Sequence, residues 1–338
     1  MNDTMLKRKN PFIILLKGIG FTLLFQVILG ISLVIGDIIE GNMDNLVHGV
    51  GGLNFTNHRV IAWMGLTMLL AGFPISQIIG KLAFRGRPNS FYFMESSWKN
   101  CLYGAVLGTL FPMAVVSTAF LGGHAKFIAG PERLIPQEII ASLLGYGLLM
   151  LFVGYYEEII SRGILCCEWA HTWGSWVLAI TLSGLLFGIM HTTNIDATLG
   201  EKIRIILSGT LFSWLLAAVM LRFKSLKAAI GLHAGWNYGL GCIMGCSVSG
   251  QELNLSMFRT EFYGPDWITG GAFGIETSMP VNIILVVLIY LFVREINFSE
   301  LRAEPKESPV NSADFPPDST DFPGHPQEPI GDETTENP

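Results

Sequence analysis

The sequence predicts an all-α fold, a polytopic membrane helical bundle of about eight transmembrane helices. Three observations carry that expectation. Of the 338 residues, 50% are hydrophobic and only 14% are charged, where soluble domains carry about a quarter. Mean hydropathy is +0.47. Apolar stretches recur near the length of ~20 residues that a hydrocarbon core of ~30 Å demands, and the charges collect between them.

The first stretch, 12–36, follows Lys7, Arg8 and Lys9. It resembles the start of a signal peptide, yet its apolar run exceeds an h-region and lacks a small-residue cleavage site, so it is expected to persist as a helix. Further spans are expected at 60–80, 101–121, 143–168, 176–195, 203–221 and 227–247. The eighth, 280–293, is short and is bounded by Pro280 and Arg294. With spans alternating in direction, thirteen Lys and Arg, including Lys7, Arg8, Lys9, Lys81, Arg85, Arg87 and Lys99, fall on one face against six on the other, Arg59, Lys126, Arg133, Lys202, Arg204 and Arg259. The positive-inside rule then sets the protein in the membrane as a multi-pass chain with both termini cytoplasmic.

The formal charge of −6 misdescribes the chain, because residues 295–338 hold 11 acidic side chains against Arg302 and Lys306 and eight of the sixteen prolines. That tail has almost nothing to bury and is expected to be disordered. No basic stripe suits a nucleic acid. The five cysteines, Cys101, Cys166, Cys167, Cys242 and Cys246, lie in or beside spans without a Cys-x-x-Cys pair, which reads as small buried thiols.

The fourth span carries charge where lipid disfavours it. "GYYEEIISRGILCC" (154–167) places Glu157, Glu158 and Arg162 in an apolar run, and a charge at mid-bilayer costs at least ~2.5–3.5 kcal/mol unless it faces a cavity or a partner. Glu158 and Arg162 stand four apart with the acid first, the favourable order for an ion pair. Glu157 points about 100° away. One glutamate is thereby neutralised while the other stays free for chemistry.

Two later segments supply groups at matching depth. His191 closes "SWVLAITLSGLLFGIMH", one turn after Phe187, and Gly174 lies midway between it and Glu157. An antiparallel pair folded at Gly174 brings Glu157 and His191 level, ~15–22 Å from the turn. In "GLHAGWNYG", His233 and Asn237 share a helical face at ~9 and ~15 Å from Lys227, a shallower estimate that helix tilt must absorb.

Glutamate with histidine can hold and deprotonate a water, while imidazole N–H and asparagine NH2 groups can stabilise an oxyanion. That is equipment for cutting an amide. No Gly-x-Ser-x-Gly elbow and no His-Glu-x-x-His zinc helix is present.

In that order, "EEIISR", "FGIMH" and "HAGWN" resemble the E-E-x-x-x-R, F-x-x-x-H and H-x-x-x-N motifs of the CPBP (Abi) intramembrane protease family, which includes the type II CAAX prenyl endopeptidases. The resemblance covers about residues 140–247. It implies Glu157 as general base, His191 as its partner in orienting water, His233 and Asn237 as oxyanion donors, and Glu158 with Arg162 in support. Ser161 departs from the aromatic that often precedes the family's Arg-Gly pair. "ITGGAFGIETS" (268–278) resembles a Gly-rich stretch of some bacterial members and is either a loop folding back over the bundle or a surface turn. The implied layout is N-terminal transmembrane helices over 1–137, a protease core over 138–247, the Gly-rich loop with the last span over 248–294, and the tail over 295–338.

No cofactor is favoured. Zn2+ stays open, with Glu157, Glu158, His191 and His233 as its ligand set, although Arg162 and Asn237 are poor company for a cation. The implied partners are the lipid bilayer and a peptide or membrane-protein substrate, lipidated or not. Rival classes are a non-catalytic membrane immunity or scaffold protein and, further off, a transporter, for which the repeat symmetry is missing.

Overall fold

A computed structural model describes residues 9–41, 58–75, 77, 78, 89–128, 136–253 and 256–297. Residues 303–338 form a unit apart from Met1–Arg302, and the acidic tail lies outside the described residues. So do the basic residues 81, 85, 87 and 133 of the charge count.

Local chemistry sets the helix limits. Helix α1 (Pro11–Ile39) begins where Asn10 accepts from the Phe12 N–H and Pro11 takes the first turn, a position with no N–H to satisfy. Helix α2 (His58–Thr67) continues as a π turn over Met68–Gly72. Helix α3 (Trp98–Leu121) is capped by Ser97. Helix α4 (Pro136–Glu158) runs through a π segment, Ile159–Cys167, into α5 (Glu168–Trp173), and stops at Gly174 with φ of 66°, a conformation glycine takes without strain. Ser175 then caps α6 (Trp176–His191). A Thr198/Glu201 capping box opens α7 (Leu199–Phe223), satisfying two otherwise orphaned N–H groups. Ser225 caps α8 (Leu226–Asn237), which passes into a π turn over Tyr238–Ile243. A single turn, α9 (Asp266–Thr269), precedes α10 (Met279–Val293).

A helical segment stands at each of the eight places where a span is expected, yet four meet the length and apolarity of a membrane crossing: Pro11–Ile39, Trp98–Leu121, Ile139–Trp173 and Leu199–Phe223. Arg59–Ile75, Trp176–His191 and Met279–Val293 are apolar but shorter. At 1.5 Å per residue, α6 with 16 residues reaches about 24 Å, short of a ~30 Å core. The segment through α8 loses apolarity to Lys227, His233, Trp236 and Asn237.

Two strands qualify the all-helical expectation. Strand β1 (Ala125–Ile128) pairs antiparallel with β2 (Arg259–Phe262), from Ala125↔Phe262 to Ile128↔Arg259. Each has four residues and its partner is distant in sequence, so no local alternation announces them.

Close backbone approach positions α8. A Cβ added at Gly231 would lie 1.9 Å from the Cys101 carbonyl oxygen, and one at Gly235 would lie 2.2 Å from that of Ala105. Only glycine permits this parallel contact of α3 with α8. Against α4 the direction reverses, with Gly154 facing Ala234 and Gly147 facing Tyr238. On α4, Phe152 and Tyr156 both meet Phe25 of α1, at ring distances of 5.8 and 4.9 Å, fixing α4 from its other side.

Candidate active site

Glu158 ends α4 and Arg162 lies one turn on, in the π segment where every residue from Ile159 to Cys167 is buried. The Arg162 Nη1 donates to Glu158 Oε1 at 2.9 Å, with the side chains 1% and 0% exposed. The same carboxylate oxygen accepts from His233 Nδ1 at 2.8 Å. A buried carboxylate is tolerable only with such partners, and the pair it forms here also fixes the ring of His233.

Phe187 organises the next layer. Its carbonyl accepts from His191 Nδ1 at 2.7 Å, its ring lies 4.4 Å from the His191 ring, and the Arg162 guanidinium sits 4.8 Å above it. The F-x-x-x-H spacing thus has a physical content: one turn of helix aligns a backbone acceptor with the imidazole. Because a carbonyl can only accept, His191 Nδ1 carries a proton, and in the neutral ring Nε2 presents a lone pair. His233 Nδ1 likewise faces a carboxylate.

Both Nε2 atoms converge on Glu157. Glu157 Oε2 stands 3.8 Å from His191 Nε2 and 3.8 Å from His233 Nε2. That oxygen is buried and, among the described residues, has no hydrogen-bond partner. Glu157 and His191 are 24% and 16% exposed, in contrast to the sealed Glu158–Arg162 pair. A buried, unpartnered carboxylate oxygen calls for a functional account.

Behind the imidazoles lies a cavity of about 30 Å3 lined by Phe187, His191, Ser208, Phe212, His233, Trp236, Asn237, Ser249 and Glu276, among others. It has room for one or two waters. Glu157 is not in the lining, and its Oε2 lies 3.8 Å from the Nε2 atoms of the two lining histidines. The structure therefore brings Glu157, Glu158, Arg162, His191 and His233 into direct contact, and sets Asn237 on the cavity wall.

Four lining groups escaped the sequence reading. The Phe212 ring stands edge-on to His233 at 5.3 Å and tilted against Trp236 at 5.0 Å. Trp236 Nε1 donates to Glu276 Oε1 at 2.8 Å, and the Ser249 N–H donates to Glu276 Oε2. Glu276 belongs to the Gly-rich stretch 268–278, which folds onto the bundle; its acid amid glycines was the available signal. Burial raises the Glu276 carboxyl above its ordinary value, while the Ser249 and Trp236 N–H donors oppose the rise.

The four-residue metal set is not formed. Glu157 and Glu158 meet opposite nitrogens of the His233 ring, so they cannot share one ion with it. Among the described residues no group of three His, Cys, Asp or Glu is arranged to hold a metal.

Residues 138–239 match the family model described as Type II CAAX prenyl endopeptidase Rce1-like. The match takes in every motif residue from Glu157 to Asn237 and stops short of Ser249 and Glu276. No curated protein and no solved structure matches the chain. With the apolar helices, the match supports an integral membrane protein in which residues 138–239 are similar to a protease family.

Proposed function

We infer that this chain, through the CAAX-protease core at 138–239, is an intramembrane endopeptidase of the CAAX or peptide-maturation type. The observation that carries the reading is the Glu157 oxygen, buried, without a hydrogen bond, and 3.8 Å from two imidazole nitrogens. A water seated among these three acceptors can donate both its protons, which raises the nucleophilicity of its oxygen.

The step runs as follows. The water oxygen attacks the substrate's amide carbon while Glu157, oriented with His191, takes a proton. The water's other hydrogen passes to His233 Nε2, and the imidazolium so formed, supported by Glu158 at 2.8 Å, donates it alongside the Asn237 amide to the oxyanion that the carbonyl oxygen becomes. The C–N bond then breaks and the proton on Glu157 passes to the leaving amine. Arg162 bonds to Glu158 and so holds that carboxylate in place against His233. No step is routed through a metal, because Glu158 is committed to Arg162 and His233.

Glu157→Gln keeps the shape and cannot take a proton. Cleavage by the purified variant is expected to fall by about 10²–10⁴-fold while the protein stays folded in the membrane. Normal cleavage by the variant refutes the base assignment. Activity of the native chain that survives chelation supports the reading, and loss restored by added Zn2+ transfers the water to a metal.

A further inference from the structure

We propose that Glu276 is a positioning residue of the candidate active site, holding Asn237 and His233 in place through the indole of Trp236. Its part in cleavage rests on the endopeptidase reading above; the positioning itself does not.

The chain is folded to deliver this carboxylate. Gly270, Gly271 and Gly274 take φ of 86°, 64° and 105°. A Cβ added at Gly270 would lie 1.6 Å from the Gly274 carbonyl oxygen, so the stretch doubles back as only glycine allows. Thr277 Oγ1 closes the turn by donating to the Gly270 carbonyl at 2.7 Å. Ser278 then caps α10 by accepting from the Val281 N–H. Glu276 is thereby set between a closed turn and the start of a helix, with little freedom of its own.

Both of its carboxylate oxygens are engaged. Oε1 accepts from Trp236 Nε1 at 2.8 Å and Oε2 from the Ser249 N–H. A carboxylate is costly to bury, but its charge-assisted bonds are stronger than neutral ones and fix the indole more firmly. Ser249 has φ of 49°, a left-handed conformation that costs a non-glycine residue energy and is concentrated at functional sites. The Ser249 carbonyl accepts from Asn194 Nδ2 at 2.9 Å, and the Gly250 N–H donates to the Phe273 carbonyl at 2.9 Å. The bonds of Glu276 therefore join the Gly-rich turn to the chain that follows His191 as well as to α8.

Trp236 passes the constraint on. It is 2% exposed and directly precedes Asn237. Its ring lies 5.0 Å from that of Phe212, whose edge meets His233 at 5.3 Å. The regular α-helical ladder ends at Asn237, where α8 passes into the π turn Tyr238–Ile243. A side-chain anchor one residue earlier then decides where the Asn237 amide points. Glu276, Asn237 and His233 line the same cavity, so the acid and the two proposed oxyanion donors bound one space.

NMR of the detergent-solubilised full chain, labelled with heavy nitrogen on asparagine alone, reads the positioning directly. The Asn237 side-chain amide signal, identified by its loss in Asn237→Ala, is expected to shift in Glu276→Ala. It is expected to shift likewise in Trp236→Phe, which removes the indole N–H and keeps a ring beside Phe212. In Glu276→Gln, whose carbonyl oxygen still accepts from the indole, it should stay near its native place. A signal indifferent to Glu276→Ala, or to Trp236→Phe where the alanine variant does not fold, overturns the proposal. Cleavage of a prenylated peptide ending in a CAAX sequence, with fluorophore and quencher across the scissile bond, reads the consequence. Glu276→Ala and Trp236→Phe are each expected to lower kcat by up to about 10²-fold with little change in KM. The double variant should lose no more than the larger single loss, and Glu276→Gln should recover most of it. Losses that add, or that fall on KM alone, overturn the positioning role. Glu157→Gln, assayed beside them, separates the two readings. Cleavage lost in E157Q but native in E276A and W236F overturns the role of Glu276 alone; if E157Q cleaves normally, or the native chain leaves the peptide intact, the endopeptidase reading fails and the Asn237 signal decides the positioning.

Discussion

Replacing Arg162 with methionine removes the guanidinium that pairs with a fully buried carboxylate. Glu158 is 0% exposed and Arg162 is 1% exposed, so neither charge falls back on solvent when the other is deleted. Breaking such a pair from one side costs about 3–5 kcal/mol. Loss of the guanidinium above the Phe187 ring, 4.8 Å away, adds to this, and the remaining bond from His233 Nδ1 at 2.8 Å subtracts from it. At about 2–4 °C per kcal/mol for a domain of this size, the thermal midpoint of the detergent-solubilised protein falls by roughly 6–20 °C. Size-exclusion chromatography after a heating series measures it. The discriminating step is the double variant R162M/E158Q, in which no charge is left to strand. It is expected to be more stable than R162M alone, with a coupling of about 0.5–3 kcal/mol. If the two single losses merely add, the buried pair is not what holds this corner, and the reasoning is refuted.

Three further outcomes follow from the same geometry. Gly231→Val puts a side chain where an added Cβ would already lie 1.9 Å from the Cys101 carbonyl oxygen; α3 and α8 must part, and yield of monodisperse protein and cleavage should fall together. Asn237→Ala should lower kcat by about 10²–10³-fold with little change in KM, the mark of a donor used only by the oxyanion, and an unchanged kcat would remove Asn237 from that role. Because the folded state holds the Glu276 proton above the ordinary value of 4.5, stability should decline as pH rises from about 4.5 through the raised value; Glu276→Gln should flatten the midpoint-versus-pH curve in that window, and a variant with the wild-type slope counts against it.

The sequence showed the helices more clearly than their lengths. Apolar runs mark where helices lie, but the ends are set by Gly174, Ser175, Thr198 and Ser225, and those residues shorten α6 to 16 residues inside a stretch that reads as 20. The charged residues were legible because lipid makes every one of them costly, and an (i, i+4) pair can be drawn on a helix wheel. The π segment Ile159–Cys167 was not, since nothing in "IISRGILCC" distinguishes it from α-helix. Glu276 was hidden for another reason. Its partners Trp236 and Ser249 lie 40 and 27 positions away, and only the fold brings a loop acid beneath an indole.

What unites the site is a surplus of acceptors. Glu157 Oε2 has no hydrogen-bond partner among the described residues and lies 3.8 Å from the Nε2 atom of each imidazole. Each imidazole is oriented by its other nitrogen, one on the Phe187 carbonyl and one on Glu158. Such a cluster is disfavoured when empty of protons and is relieved by any molecule that brings them. Water brings two, and giving one up is the act that makes it a nucleophile. Arg162 matters here through Glu158: its buried bond goes to that carboxylate, which in turn holds Nδ1 of His233. In the proposed mechanism the same arrangement lets adjacent glutamates serve different ends. On a helix they point about 100° apart, which lets one be neutralised inside the protein while its neighbour faces the reactant.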